Sequence, residues 1–341
     1  MKTSANISPT TDHHSYAYIH QLIAGILKYG VYAIFLIMIV VFSFSNPRFF
    51  TLGNFLLILQ QASPLGISVI GMTFVLILAG IDISVGRNMF LTATIIAYFL
   101  NKTILLSPET VGVAGGYILI LIISLVSGAL IGLINGIFVA KLKIVPFIAT
   151  LAIGSICRGI GLIISEQRTP STSYLNSFTN SRFLGIPVTL IMFIVIAVII
   201  DYILRRTSFG RHLYAIGNSP ETARKSGINV NRNILIAYVL CGALAGFAGI
   251  ILAGQIGSVP VTFGNGNEFI VISAAILGGM SLFGGKGTII PGAFIGIILV
   301  TTIMNGLAMI NASPYVYTIV RGLIIFSAVT VDSINYTGEL R

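Results

Sequence analysis

GVAGGYILILIISLVSGALIGLINGIFVA, from Gly112 to Ala140, carries no charged side chain. As an α-helix rising 1.5 Å per residue it reaches about 40 Å, more than the ~30 Å hydrocarbon core of a bilayer, so the run reads as a membrane span. Outward from it, apolar runs recur at 22–44, 52–79, 88–101, 144–165, 186–204, 232–254, 268–283, 288–307 and 314–333. The composition agrees. Of 341 residues 56% are hydrophobic, 37 are Gly and only 8% are charged, against roughly 25% charged in soluble domains. So few charges cannot clothe a water-exposed surface, which excludes a soluble globular enzyme. The sequence predicts an all-α, polytopic membrane protein with about ten transmembrane helices. Pro64 removes a backbone donor inside the second run and predicts a bend there. The third run is short, so nine or eleven spans are also allowed.

The 19 Lys and Arg outnumber the 9 Asp and Glu, and their placement says why. No helix carries a basic stripe interleaved with aromatics, as a nucleic-acid surface would. The cations sit between apolar runs instead. With both termini cytoplasmic, the inside stretches hold Lys2, Lys28, Arg87, Lys141, Lys143, Arg205, Arg206, Arg211, Arg224, Lys225, Arg232, Lys286 and Arg341, which is 13; the outside stretches hold Arg48, Lys102, Arg168 and Arg182, which is 4. That asymmetry predicts ten spans with both ends inside. The expected organisation is a cytoplasmic tail over 1–21, a transmembrane domain over 22–333 and a cytoplasmic tail over 334–341.

The largest inside stretch, 205–232, reads RRTSFGRHLYAIGNSPETARKSGINVNR. Ser219 is placed as an N-cap, Pro220 at the first helical position and Glu221 in the first turn; Ala223 and Arg224 continue the helix and Gly227 can end it. Short echoes also join the two halves. AGIDISV at Ala79 to Val85 resembles AGQIGSV at Ala253 to Val259, GALIG at Gly128 resembles GAFIG at Gly292, and IxRG at Ile156 resembles IxRG at Ile319. They keep order and pair spans five apart, the pattern of an inverted repeat of two halves. Gly128, Gly132 and Gly136 recur every four residues and predict a face for close helix packing.

Polar groups inside spans are costly and therefore candidates for function. Arg158 and Arg321 either snorkel or pair with Glu166 or Glu268, or else line an outer vestibule. Asn135 and Asn305, each followed by Gly, either bond substrate hydroxyls or tie helices together. These residues, with Glu268, are the candidates for a translocation pathway. Asp82 is expected at the inner mouth of span two as a cap or anchor in a Gly80, Asp82, Ser84, Gly86 motif. No span carries a central acid on this reading, which argues against a proton relay. Cys157, Cys241 and the four His at 13, 14, 20 and 212 offer no disulfide framework, metal cluster or intramembrane base. GGMSLFGGKG at Gly278 to Gly287 fails the phosphate-loop template, so no nucleotide site is expected.

The segment GMTFVLILAGIDISVG (Gly71 to Gly86) resembles the membrane permeases of bacterial ribose-type ABC importers. The resemblance continues at VPFIATLAIGSICRG (Val145 to Gly159), FGRHLYAIGNSPETARKSGINV (Phe209 to Val230), NEFIVISAAILGGMSLFGGKGTIIPGAFIG (Asn267 to Gly296) and NGL (Asn305 to Leu307). It implies an inner-membrane permease paired with a second copy or a close relative, a cytoplasmic ATPase dimer that holds the ATP and Mg, and a periplasmic sugar-binding protein; this chain itself would bind no cofactor and catalyse no reaction. It also implies that Ser219, Pro220, Glu221, Ala223, Arg224 and Gly227 form the segment that couples to the ATPase. Arg87 departs from the small residue common in relatives, and SPYVYTIV before Arg321 lacks their Gln, so the choice among ribose, xylose, galactose, furanoses and the autoinducer-2 signal stays open. The other reading is an ion-coupled secondary carrier; an exporter on the same scaffold is a third.

Overall fold

The computed structural model describes residues 35–102 and 108–339. The expected tail at 1–21 and most of the first span lie outside the described residues. Among those described are thirteen α-helices: α1 (Phe35–Ser45), α2 (Leu52–Ile77), α3 (Val85–Lys102), α4 (Pro108–Ala140), α5 (Pro146–Ile164), α6 (Ser173–Thr179), α7 (Val188–Arg206), α8 (Ser208–Asn218), α9 (Pro220–Lys225), α10 (Val230–Ile256), α11 (Asn267–Leu277), α12 (Phe294–Met309) and α13 (Pro314–Glu339). A two-residue hairpin, Arg182–Phe183 with Ile186–Pro187, is the one sheet among them. Seven helices are long and apolar enough to cross a membrane: α2, α4, α5, α7, α10, α12 with the π-helical turn before it, and α13.

Helix α2 runs unbroken through Pro64. Proline cannot donate to the carbonyl four residues back, and here the Gln60 carbonyl accepts instead from Gln255 Nε2 on α10 at 2.9 Å. That bond joins the start of α2 to the end of α10, while Tyr238, in the first third of α10, donates its hydroxyl to the Ile81 carbonyl just past the end of α2. The two helices are therefore antiparallel neighbours.

The packing repeats when α2, α3, α4 and α5 are exchanged for α10, α11, α12 and α13. Helix α3 packs on α4 and α5 as α11 packs on α12 and α13; α4 packs on α10 as α12 packs on α2; and α3 packs on α10 as α11 packs on α2. Each half thus lends its first helix to the other. Because α2 and α10 are equivalent yet antiparallel, the halves run in opposite senses, as the sequence echoes predict. The α4 to α10 contact is the most extensive and is built on Gly128 and Gly132 against Gly242 and Gly246, with Gly136 against Leu235 and Tyr238.

What periodicity did not show is where α3 and α11 begin. Helix α2 ends at Ile77, whose carbonyl accepts from the Gly285 N–H at 2.8 Å, and the chain then turns back into the protein over 78–84. Helix α10 ends at Gly257, a left-handed cap with φ 81°, and its segment 257–266 likewise turns inward. The two meet where Gly86 lies against the Gly264 carbonyl and the Glu268 carboxylate. Asn88 at this junction reaches the Gly242 carbonyl, near the middle of α10. The N-termini of α3 and α11 therefore converge in the interior.

This corrects several expectations. Asp82, placed by sequence at a membrane edge, is 1% exposed beside the middle of α10, and Glu268 is 5% exposed; both are interior acids, because irregular, turn-rich segments carry them inward. Arg87, counted among the inside cations, lies along α5 at Leu151 and Gly154, so that count falls from 13 to 12. The run 268–283 is helical only as far as Leu277: Gly279, Gly284, Gly285 and Gly287 all take positive φ, a conformation that breaks a helix and that glycine adopts without steric cost. At the other end, α13 continues to Glu339 through much of the stretch expected as a tail.

Candidate functional site

The re-entrant 78–84 segment must satisfy its backbone away from water, and it does so with side chains. Asp82 Oδ1 accepts from the Ser84 N–H at 2.8 Å and from the Ser84 hydroxyl at 2.6 Å. Asn135 Nδ2, from α4, donates to Ser84 Oγ at 2.8 Å and approaches both Asp82 oxygens at 3.5 Å. The Ile83 N–H donates to Thr150 Oγ1 on α5 at 3.0 Å. Asn88 then donates to the Gly128 and Gly242 carbonyls at 3.3 and 3.1 Å, and Thr92 donates to Asn88. The start of α3 is thus pinned to α4, α5 and α10 by a connected polar network.

The network predicts a large structural effect at one atom group. Asp82→Ala removes the acceptor for two Ser84 donors and one from Asn135, and unsatisfied buried donors cost about 1–3 kcal/mol each. We expect a destabilisation of about 3 kcal/mol, read as a lower unfolding temperature of the purified protein, with Asp82→Asn in between. Wild-type melting of Asp82→Ala would show that the carboxylate does not hold the segment.

Beside this network lie the intramembrane charges. Arg158 donates to the Phe263 carbonyl at 3.0 Å and to the Val261 carbonyl, and its guanidinium sits 4.2 Å from the Phe90 ring centroid. It engages the second re-entrant segment, whereas Glu166 pairs with Arg168 at 3.5 Å. Arg321 on α13 lies against Gly266, at the foot of α11. Glu268 lies within electrostatic reach of Arg87 and Arg321, and Arg158 within reach of Arg87 and Glu268. Glu268 Oε2 and Arg321 Nε are buried without hydrogen-bond partners. The structure therefore brings Arg158, Glu268 and Arg321 together at the convergent N-termini, with Arg87 beside them. Asn135 belongs to the Asp82 network, and Asn305 is buried on α12.

At the opposite end of the molecule from α6, α8 and α9 form a second candidate site. Thr207 and Ser219 cap them, accepting from the Gly210 N–H at 3.4 Å and the Thr222 N–H at 3.2 Å. Ala223 is buried with Ile216 and Val230, which seats α9 on α8 and α10. The polar side of α9 is open: Glu221 and Lys225 pair at 2.8 Å with both side chains more than three-quarters exposed. Gly227 follows at φ 81°. Gly217 of α8 presses on the Ile77 carbonyl, and the Tyr214 hydroxyl donates to the Gly287 carbonyl at 2.8 Å. One rigid layer thus joins α9 to the point where the chain turns back toward Asp82.

Two inverted halves with convergent helix termini are an arrangement for moving a solute, and the comparisons agree. Residues 54–329 match the family described as the permease component of the branched-chain amino acid transport system. The chain belongs to this permease family. The permease is 36% identical over 304 residues to the ribose import permease protein RbsC of Escherichia coli K12, covering 87% of this chain and 91% of that one. It is 36% identical to the ribose import permease protein RbsC of Bacillus subtilis, over 89% of this chain and 92% of that one. The galactose/methyl galactoside import permease protein MglC of Escherichia coli K12 is 34% identical over 90% of this chain and 94% of its own. No solved structure matches significantly. Sequence reasoning about the permease missed Asn88, Thr92 and Thr150; the available signal was a polar residue, Asn88, inside an apolar helical pattern.

Proposed function

We propose that this permease is the membrane subunit of an ATP-driven importer that carries a monosaccharide from the periplasm to the cytoplasm across the bacterial inner membrane, with both termini cytoplasmic. The observation that carries this reading is the match, over nearly nine-tenths of the chain, to permeases named for ribose and galactose import. A cytoplasmic ATPase dimer holds the ATP and Mg, a periplasmic sugar-binding protein delivers the substrate, and a second copy of this chain or a close relative completes the pathway. The exposed side of α9, with Ser219, Pro220, Glu221, Ala223, Arg224 and Gly227, is the coupling element. Its support is the layer from α8 to Ile77, through which a push on α9 reaches the re-entrant segment and its anchor at Asp82.

The pathway follows the convergent termini of α3 and α11, where Arg158, Glu268 and Arg321 gather. Asn135 and Asn305 act one shell further in, by fixing the helices that line it. Alternating exposure then requires the two inverted halves to rock about this junction. Against an ion-coupled carrier stands the position of the interior acids: Asp82 is held by Ser84 and Asn135, and Glu268 lies within electrostatic reach of Arg87 and Arg321.

Reconstitution tests the reading. Proteoliposomes containing this chain, its ATPase and its binding protein should accumulate ribose, galactose or allose only with ATP inside the compartment facing the ATPase. Purified permease alone should hydrolyse no ATP. Sugar uptake driven by a proton gradient through this chain alone would overturn the proposal in favour of the secondary carrier.

A further inference from the structure

At the end of the molecule opposite α8 and α9, a cavity of about 280 Å³ opens between the ends of α3 and α5 and the loop that follows α5. Its wall includes Thr94, Tyr98, Asn101, Glu166, Arg168 and Ser171. Three independent features mark it as more than a packing gap. Thr94 lines it and is fully buried, and its hydroxyl has no hydrogen-bond partner, an arrangement that costs free energy. Tyr98 leaves 41% of its surface open. At the rim Glu166 and Gln167 take successive positive φ values of 51° and 57°, backbone strain of the kind that persists at binding sites. The rim is held in shape by Asn101, which donates to the Ala97 carbonyl at 2.6 Å and the Ser171 carbonyl at 2.8 Å.

We infer that this cavity is a binding site for a single free monosaccharide ring at the outer face, separate from the charged junction between α3 and α11. The chemistry of the wall suits that class. A sugar ring offers an apolar face to an aromatic such as Tyr98, and hydroxyls to a neutral hydroxyl, an amide, a carboxylate and a guanidinium, all of which are present. The volume lies just below the ~300 Å³ at which drug-sized pockets begin, which favours one ring over an oligosaccharide. No metal cluster lies among the described residues, and the Glu166 and Arg168 pair leaves the cavity without a strong net charge for an ionic ligand. A sugar released from its delivery protein would be held here before entering the pathway. The inference rests on the importer reading for its choice of sugar and of the outer face.

The test uses the full-length permease in phospholipid nanodiscs free of glycosidic detergent, with ribose, allose and galactose as probes. Saturation-transfer NMR should show at least one of them bound to the wild type. Thr94→Val keeps the shape and removes only the hydroxyl; it should weaken binding about five- to tenfold while the unfolding temperature stays equal or rises. Tyr98→Ala should weaken it about tenfold. Absence of binding by all three sugars, or wild-type affinity in Thr94→Val, overturns the inference. Uptake separates this failure from failure of the importer reading: ATP-dependent uptake with an unchanged half-saturation concentration in Thr94→Val removes only the cavity site, whereas a wild-type complex without ATP-dependent uptake removes the importer.

Discussion

Gly242→Val leaves little folded permease in the membrane. A Cβ at Gly242 would stand 2.8 Å from both Cα and N of Gly132, closer than real Cβ contacts come, and the atoms it meets are backbone that cannot rotate away. The reciprocal positions are as tight: a Cβ at Gly246 would lie 2.9 Å from Gly128 Cα, and one at Gly132 would lie 3.0 Å from Val239 Cα. Helices in lipid associate through such close backbone approach, because no hydrophobic drive replaces it. Parting α4 from α10 also breaks the bonds from Asn88 to the Gly128 and Gly242 carbonyls, so the start of α3 is released with them. Overpacking a rigid core costs about 1–3 kcal/mol and more when backbone must move; with the lost contacts the expected cost is at least about 4 kcal/mol, a large part of the 5–15 kcal/mol typical of a folded protein. Size-exclusion of detergent extracts measures it, as loss of the monodisperse peak. Gly159→Ala and Gly322→Ala serve as controls, since nothing lies within 4 Å of a Cβ at either; both should extract as well as wild type. Normal extraction of Gly242→Val would mean that α4 and α10 do not pack as described.

Glu221→Lys sharply lowers ATP-driven uptake without unfolding the protein. The pair it forms with Lys225 is 79% and 76% exposed, and such surface i,i+4 pairs contribute about 0.3–0.5 kcal/mol. Its structural value is therefore small. The seat of α9 is Ala223, buried between Ile216 and Val230, and the Ser219 cap is untouched by the change. A reversed charge at a docked interface, by contrast, leaves its counterpart unpaired and costs about 2–5 kcal/mol. The expected result is an unfolding temperature equal to wild type and an uptake rate reduced about thirtyfold or more, with the ATPase co-purifying in lower yield. Uptake at the wild-type rate would dismiss Glu221 from coupling. Ala223→Arg distinguishes seating from docking, because it should lower both the unfolding temperature and the uptake.

The two predictions differ in how far the sequence reached them. The spacing of Gly128, Gly132 and Gly136 announced a close-packed face but could not say which helix fills it, since the partner glycines on α10 lie more than a hundred residues away. The cap of α9 was fully local: Ser219, Pro220 and Glu221 sit within one turn, and a turn is read directly from residue type. The charged junction was the least legible. Arg158, Glu268 and Arg321 were each visible as charges in apolar runs, yet their meeting depends on two turn-rich segments that enter the interior from opposite ends, and apolar periodicity has no term for a chain that enters and begins a helix halfway. The central acids were missed for the same reason.

Composition by itself determined that this chain is a helical membrane protein, because the bilayer demands apolar helices, and the echoes such as AGIDISV at Ala79 and AGQIGSV at Ala253 marked its two inverted halves. The convergence of α3 and α11, the burial of Asp82 and Glu268 and the open cavity beneath Tyr98 were decided only in three dimensions. They arise from contacts between residues far apart in sequence, where backbone polar groups had to find partners that no local pattern specifies.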